Sequence, residues 1–145
     1  MNIIYQLIFS FFATIGFAIY FSAPLNSVIA SGISGGLSWV ILYIFIHNFN
    51  NKVAGTFFGA FLVGLLGEFL AIKLKKPATV FITPGIVSLV PGAGMYYTML
   101  YLVQKDYIKA AISGTETFFM AAAIAIGIIT SSIFSRSLKR FKKNN

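Results

Sequence analysis

Cysteine is missing from all 145 residues, which rules out a disulfide framework, a thiolate nucleophile and a cysteine metal site. Acidic residues are nearly as rare: Glu68, Asp106 and Glu116 are the whole supply, against eleven Lys and Arg, and His47 is the single histidine. H-E-x-x-H does not occur and there is no second histidine, so little remains for hydrolysis or metal chemistry; an enzyme is poorly supported and no metal or cofactor is expected. Charged residues make up 10% of the chain, far below the roughly 25% usual in soluble domains. No Lys or Arg precedes Lys52, so the basic start of a secretory signal is lacking and residues 1–23 read as a retained first span.

What fills the chain instead is apolar, 58% of it. Four stretches of about 20 apolar residues cannot all be buried in the core of so small a domain, whereas each has the length that crosses a bilayer. The expected fold is an all-α integral membrane bundle over residues 1–135, with spans at about 3–22, 28–46, 53–72, 78–104 and 110–134, and a basic tail at 136–145. Polar breaks separate the spans at Pro24-Leu25-Asn26, His47 to Lys52, Lys73 to Pro77 and Lys105 to Lys109. The formal net charge of +8 collects in these loops and the tail, which fits the cytosolic flanks of spans rather than a nucleic-acid surface.

Charge also decides whether 78–104 crosses or turns back. A crossing places Lys73, Lys75 and Lys76 with the five tail cations, eight against the three of Lys52, Lys105 and Lys109; a return splits the cations six to five. The stronger bias predicts five spans, with the amino terminus outside and the carboxyl terminus in the cytosol.

Small residues mark close helix approach. The second span carries Gly32 and Gly36 in G-x-x-x-G spacing beside Ser31, Ser34 and Gly35, and the third carries Gly55, Gly59 and Gly64. Without Cβ bulk, backbones come near enough for van der Waals contact to hold them in lipid. Packing within one bundle, a substrate path and a face for another chain all fit this pattern.

The fourth span is where the helical pattern fails, in the run ITPGIVSLVPGAGMYYT from Ile82 to Thr98. Pro84 and Pro91 lack an N–H, so the carbonyls of Val80 and Val87 lose their usual donors, while Gly85, Gly92 and Gly94 permit turns closed to other residues. Irregular backbone at membrane depth survives only against protein or a water-filled cavity. Two half-helices are expected. The second would aim the N–H groups of Gly92, Ala93 and Gly94 at an anion such as a carboxylate, and carbonyls near Val87 to Val90 would receive an ammonium group or a cation. The candidate substrate-binding set is therefore Pro84, Gly85, Ser88, Pro91, Gly92, Ala93, Gly94 and Tyr97; the competing reading is a kinked structural helix repaired by its neighbours.

A carboxylate in the membrane is costly enough to need a reason. Glu116, early in the last span, is the first candidate for proton coupling and Glu68, on the small-residue face of the third span, the second. Each also has a plain reading, Glu116 as an interfacial acid and Glu68 as a side chain reaching the interface. Asp106 reads as an exposed loop residue and His47 as an interfacial polar one. Trp39 and Tyr96, Tyr97, Tyr101 and Tyr107 fit an aromatic belt, with Tyr96 and Tyr97 closest to the break.

The run Thr83-Pro84, then Leu89-Val90-Pro91-Gly92, then Tyr97, in a five-span chain with a Gly/Ser-rich second span, resembles the small subunit of the bacterial threonine/serine exporter family. That resemblance implies a multi-pass protein of the bacterial inner membrane that exports threonine and serine, or dicarboxylates such as succinate, using the proton gradient. In the family a single-chain form has ten spans and a split form pairs a larger subunit with a small one, so the implied partner is a larger five-span subunit. An odd span count agrees, since joining two odd-numbered units end to end inverts the second and makes one half of an inverted-repeat transporter. On that reading the Gly32/Gly36 and Gly55/Gly59 faces are candidates for the contact between halves.

Overall fold

The computed structural model describes residues 2–143, with side chains through Ser137. The helices are α1 (Ile3–Tyr20), α2 (Leu25–Phe49), α3 (Lys52–Leu74), α4 (Thr79–Val87), α5 (Gly92–Val103) and α6 (Tyr107–Lys143). Four of them, α1, α2, α3 and α6, are long and apolar enough to cross a membrane, and α4 with α5 makes a fifth if the bent pair is one span. At ~1.5 Å per residue α4 is about 14 Å long and α5 about 18 Å, so neither alone covers a hydrocarbon core of about 30 Å, while the two end to end do.

The register of the packed helices shows that the pair traverses the bundle. Lys52, at the start of α3, pairs with Glu116 on α6; further along, Gly64 faces Ser131 and Glu68 meets Ser135. The two helices therefore run in the same direction, and Tyr107 lies at the Lys52 end. The α4 start lies at the other end, because Gly67 of α3 abuts Ile82 and the Ala78 carbonyl. Between those ends α4 packs on α1, α2 and α3, and α5 lies antiparallel on α6, with Gly94 against Thr117 and Thr98 against Gly114. The pair bends by 48° at the interruption.

Helix ends follow local chemistry. Asn51 caps α3, its side-chain oxygen accepting from Ala54 N at 2.9 Å. Ser22, Asn50, Lys75 and Lys105 take left-handed φ of 49–60° at or just beyond the carboxyl ends of α1, α2, α3 and α5. After three of these the next amide reaches back five residues, Ala23 to Ala18 O, Lys76 to Ala71 O and Asp106 to Tyr101 O, at 2.9–3.1 Å.

No described glycine has positive φ, so Gly85, Gly92 and Gly94 do not supply the special turns expected of them. Gly85 and Gly94 supply space. A Cβ on Gly85 would lie 2.9 Å from Val63 Cγ1, and one on Gly94 would run into the Thr117 hydroxyl. The other small-residue faces are used in the same way inside the chain. Gly32 and Gly36 receive Phe11 of α1, Gly55 receives Phe45 and Leu42 of α2, Gly59 meets the Ser38 carbonyl and Leu89, and Gly64 meets Ser131 of α6. Of the three uses their pattern allowed, packing within the bundle is the one seen. The core is small, made of Leu42, Ala60, Val63, Leu89 and Ile124. Large apolar side chains such as Phe9, Phe12, Phe69, Ile108 and Phe118 point outward, as a lipid-facing surface requires.

Helix extents depart modestly from hydropathy. The second helix begins at Leu25 and ends at Phe49, and α6 continues through Arg136 to Lys143 instead of giving way to a separate tail. The tail side chains from Leu138 onward lie outside the described side chains.

Candidate functional site

The interruption falls at Ser88 to Pro91, not at Pro84. Helix α4 runs through Pro84, which is fully buried, and its missing donor is answered from outside the helix. The Ser31 hydroxyl of α2 lies 3.4 Å from Val80 O and 3.0 Å from Ser27 O, so its single proton serves one carbonyl at a time. Ser31 belongs to a row with Ser27, Ser34 and Ser38, all wholly buried, which turns toward α4. The hydroxyl of Ser34, 3.5 Å from where a Gly85 Cβ would stand, has no hydrogen-bond partner among the described residues.

At the interruption itself the backbone groups are partly spent. Pro91 has φ −78° and ψ 58°, and Gly92 N donates to Val90 O at 2.8 Å, an inverse γ-turn. Gly92 N–H is thus not free for an anion, contrary to the expectation for all three amides. Those of Ala93 and Gly94, in the first turn of α5, remain as the groups a helix start leaves without an intrahelical acceptor. The carbonyls of Ile86 and Val87 accept from Leu89 N and Val90 N, which leaves one lone pair each. Leu89 is 1% exposed and plugs the core over Gly59. Gly92, Ala93 and Tyr97 are exposed, and no residue of α5 is buried. The bend opens a cleft of about 690 Å³ between α5 and α6, lined by Val90, Pro91, Met95, Thr98 and Thr117 among others.

On the far side of the interruption a second, smaller cavity of about 250 Å³ lies between α1 and α2, lined by Gln6, Phe9, Ser10, Ala13, Trp39 and Ser88. Trp39 Nε1 donates to Gln6 Oε1 at 2.7 Å, and the hydroxyls of Ser10 and Ser88 both donate to Gly35 O, at 3.3 and 3.4 Å. Trp39 accordingly faces this cavity and the core. Sequence reasoning found Ser88 but missed Gln6, Ser10 and Trp39. The available signal was that Gln6 and Ser10 sit one turn apart in an otherwise apolar first span.

Residues 6–134 match the family described as Threonine/Serine exporter, ThrE. The chain belongs to the threonine/serine exporter family. An uncharacterized protein of Haemophilus influenzae is 24% identical over 136 residues, covering 88% of this chain and 46% of that protein. A "Probable threonine/serine exporter" of Mycobacterium tuberculosis is 27% identical over 119 residues, covering 81% of this chain and 22% of that protein. The chain thus spans less than half the length of either relative. No solved structure matches it.

The exporter-family match takes in the interruption, both cavities and both membrane carboxylates. Those carboxylates sit at opposite ends of α6. Glu116 Oε1 is 2.9 Å from Lys52 Nζ, with the two side chains 46% and 49% exposed. Glu68 lies 3.5 Å from the Ser135 hydroxyl near the other end. Both of these contacts lie away from the interruption. Asp106 caps α6 in the loop, accepting from Lys109 N at 3.2 Å, and the Lys109 ammonium 2.8 Å away holds its carboxyl below the usual range. His47 stacks on Tyr43, and no cluster able to hold a metal ion occurs among the described residues.

Proposed function

We propose that this chain is a membrane subunit of a secondary transporter exporting small carboxylate-bearing metabolites, threonine and serine or dicarboxylates such as succinate, with a larger five-span partner. The observation that carries this reading is the family match over residues 6–134 on a bundle whose fourth crossing is interrupted part-way. Broken helices near the midplane are where secondary transporters hold substrate and coupling ions. The Ala93 and Gly94 amides, with the positive end of α5, face a substrate carboxylate, with Pro91, Gly92 and Tyr97 around them. Because Gly92, Ala93 and Tyr97 are exposed in the lone chain, the site is completed by the partner's half. The amino terminus lies outside and the carboxyl terminus in the cytosol of the bacterial inner membrane, as the Lys/Arg bias directs.

The Lys52–Glu116 pair gives proton coupling a concrete form: proton uptake by Glu116 removes its charge and releases Lys52, loosening the contact between α3 and α6 at that end. Glu68 is the second candidate. The test is counterflow of labelled threonine, serine and succinate in proteoliposomes, with and without the larger subunit. Export by the pair, made independent of a pH gradient by Glu116→Gln while exchange persists, is the expected result. No flux of any of the three by the pair would overturn the exporter reading, and unchanged gradient dependence in Glu116→Gln would leave that residue as an interfacial acid.

A further inference from the structure

We propose that the cavity between α1, α2 and the end of α4 is a binding site for an uncharged hydrogen-bonding group, and specifically for the side-chain hydroxyl of a small amino acid. The proposal rests on the exporter reading and adds the part of the substrate that the interruption's amides do not explain.

The lining residues Gln6, Phe9, Ser10, Ala13, Trp39 and Ser88 include no ionisable group, so neither end of a zwitterion is matched there. What the cavity offers is a mostly apolar wall carrying a few neutral polar groups. An indole N–H only donates, so the atom of Gln6 that faces Trp39 at 2.7 Å is its carbonyl oxygen, and the two amide N–H donors are left over. The hydroxyls of Ser10 and Ser88 share one carbonyl, Gly35 O, at 3.3 and 3.4 Å, beyond the roughly 2.5–3.0 Å usual for O–H donors, so both bonds are weak. Ser88 has a second acceptor within reach, Gly85 O at 3.1 Å, so it can leave Gly35 O without losing its bond. A ligand hydroxyl can then donate to a serine oxygen and accept from the Gln6 amide. Gln6 and Ser10 have no need of one another for helix structure, and polar groups kept in a span mark a path for something polar. The volume, about 250 Å³, suits a solute of a few heavy atoms. Ser88, just past the end of α4, places this cavity beside the start of the interruption, on the α1 and α2 side.

Trp39 is the only tryptophan beside seven tyrosines, so tryptophan emission excited selectively, clear of tyrosine absorption, reports on this cavity and the core next to it. Titration of the full chain in nanodiscs with L-threonine and L-serine should give a saturable change, with half-saturation about tenfold lower than for L-valine and L-alanine, which lack the hydroxyl. Ser88→Ala and Gln6→Leu should each bring that preference below about threefold while leaving elution volume near the parent's; Gln6→Leu also shifts the unliganded emission, because it removes the acceptor of the Trp39 N–H. Equal responses to threonine and valine in the parent, or a preference that survives both substitutions, would overturn the proposal. The reconstituted pair separates the two readings. Threonine export by the parent with an unaltered threonine-to-valine ratio in both variants removes the hydroxyl site and keeps the exporter. A fluorescence preference for hydroxylated solutes without any export supports the site and removes the exporter.

Discussion

Pro91 closes a turn before it starts a helix, and that narrows the anion site. The inverse γ-turn uses the Gly92 amide, so the carboxylate proposed here meets Ala93 and Gly94. Gly92 has negative φ and nothing within 4 Å of its would-be Cβ, so a larger side chain there needs no rearrangement of the fold. Pro91→Ala and Gly92→Leu should each lower transport by about tenfold, the scale of one displaced substrate contact, while membrane abundance stays near normal. Export at the parent rate by both variants, measured in the same vesicles, would mean that the break is structural only. Pro84 teaches the opposite lesson. Its consequence, a Val80 carbonyl without a donor, was legible in the sequence, but the donor was not, because Ser31 is set beside Val80 only by the register of α2 on α4. The partner of Trp39 was hidden for the same reason. Nothing in its neighbours along the chain says that Gln6, 33 residues earlier, lies across from it.

At the scale of elements, hydropathy and the Pro/Gly run located every helix, and the second half-helix begins at Gly92 where Pro91 required it. Direction needed more. The charge split favoured a crossing of the broken segment, and the parallel register of α3 and α6, with Lys52 and Glu116 at one end, agrees with that arrangement. Cysteines placed at Asn2 and Lys105 of a cysteine-free chain should label together from one face of intact cells, and one at Lys75 should stay unlabelled until the membrane is opened. Labelling of Lys75 and Lys105 from the same side would sink the five-crossing arrangement. The glycine faces were legible as close contacts but not as to their partners. A G-x-x-x-G motif looks the same whether it receives a helix of its own chain or of another, and here Gly32 and Gly36 receive α1.

For the whole molecule, the helices differ in how much of them is covered. Helix α5 rests chiefly on α6 and has no buried residue, whereas α4 is held by α1, α2 and α3. With the glycine faces already occupied inside the bundle, the exposed side of α5, with Tyr96, Tyr97, Met95 and Met99, takes their place as the candidate contact for the larger subunit. Co-expression with a tagged five-span partner should recover this chain in detergent and yield transport on reconstitution, and the chain alone should give none. Stable, active transport by the chain alone would favour a homo-oligomer instead, most simply a dual-topology dimer.

The serine row on α2 has one more consequence, for the order of assembly. Most membrane hydroxyls here bond a carbonyl one turn back in their own helix, Thr14 to Ser10, Ser38 to Ser34, Thr56 to Lys52 and Thr117 to Ser113. Those hydroxyls enter lipid already satisfied within their own helix. The α4 segment does not, because Pro84 leaves Val80 dependent on a donor from α2. In a chain made from the amino terminus, α2 is in place before α4 is synthesised, so the acceptor arrives at a bilayer where its donor is already waiting.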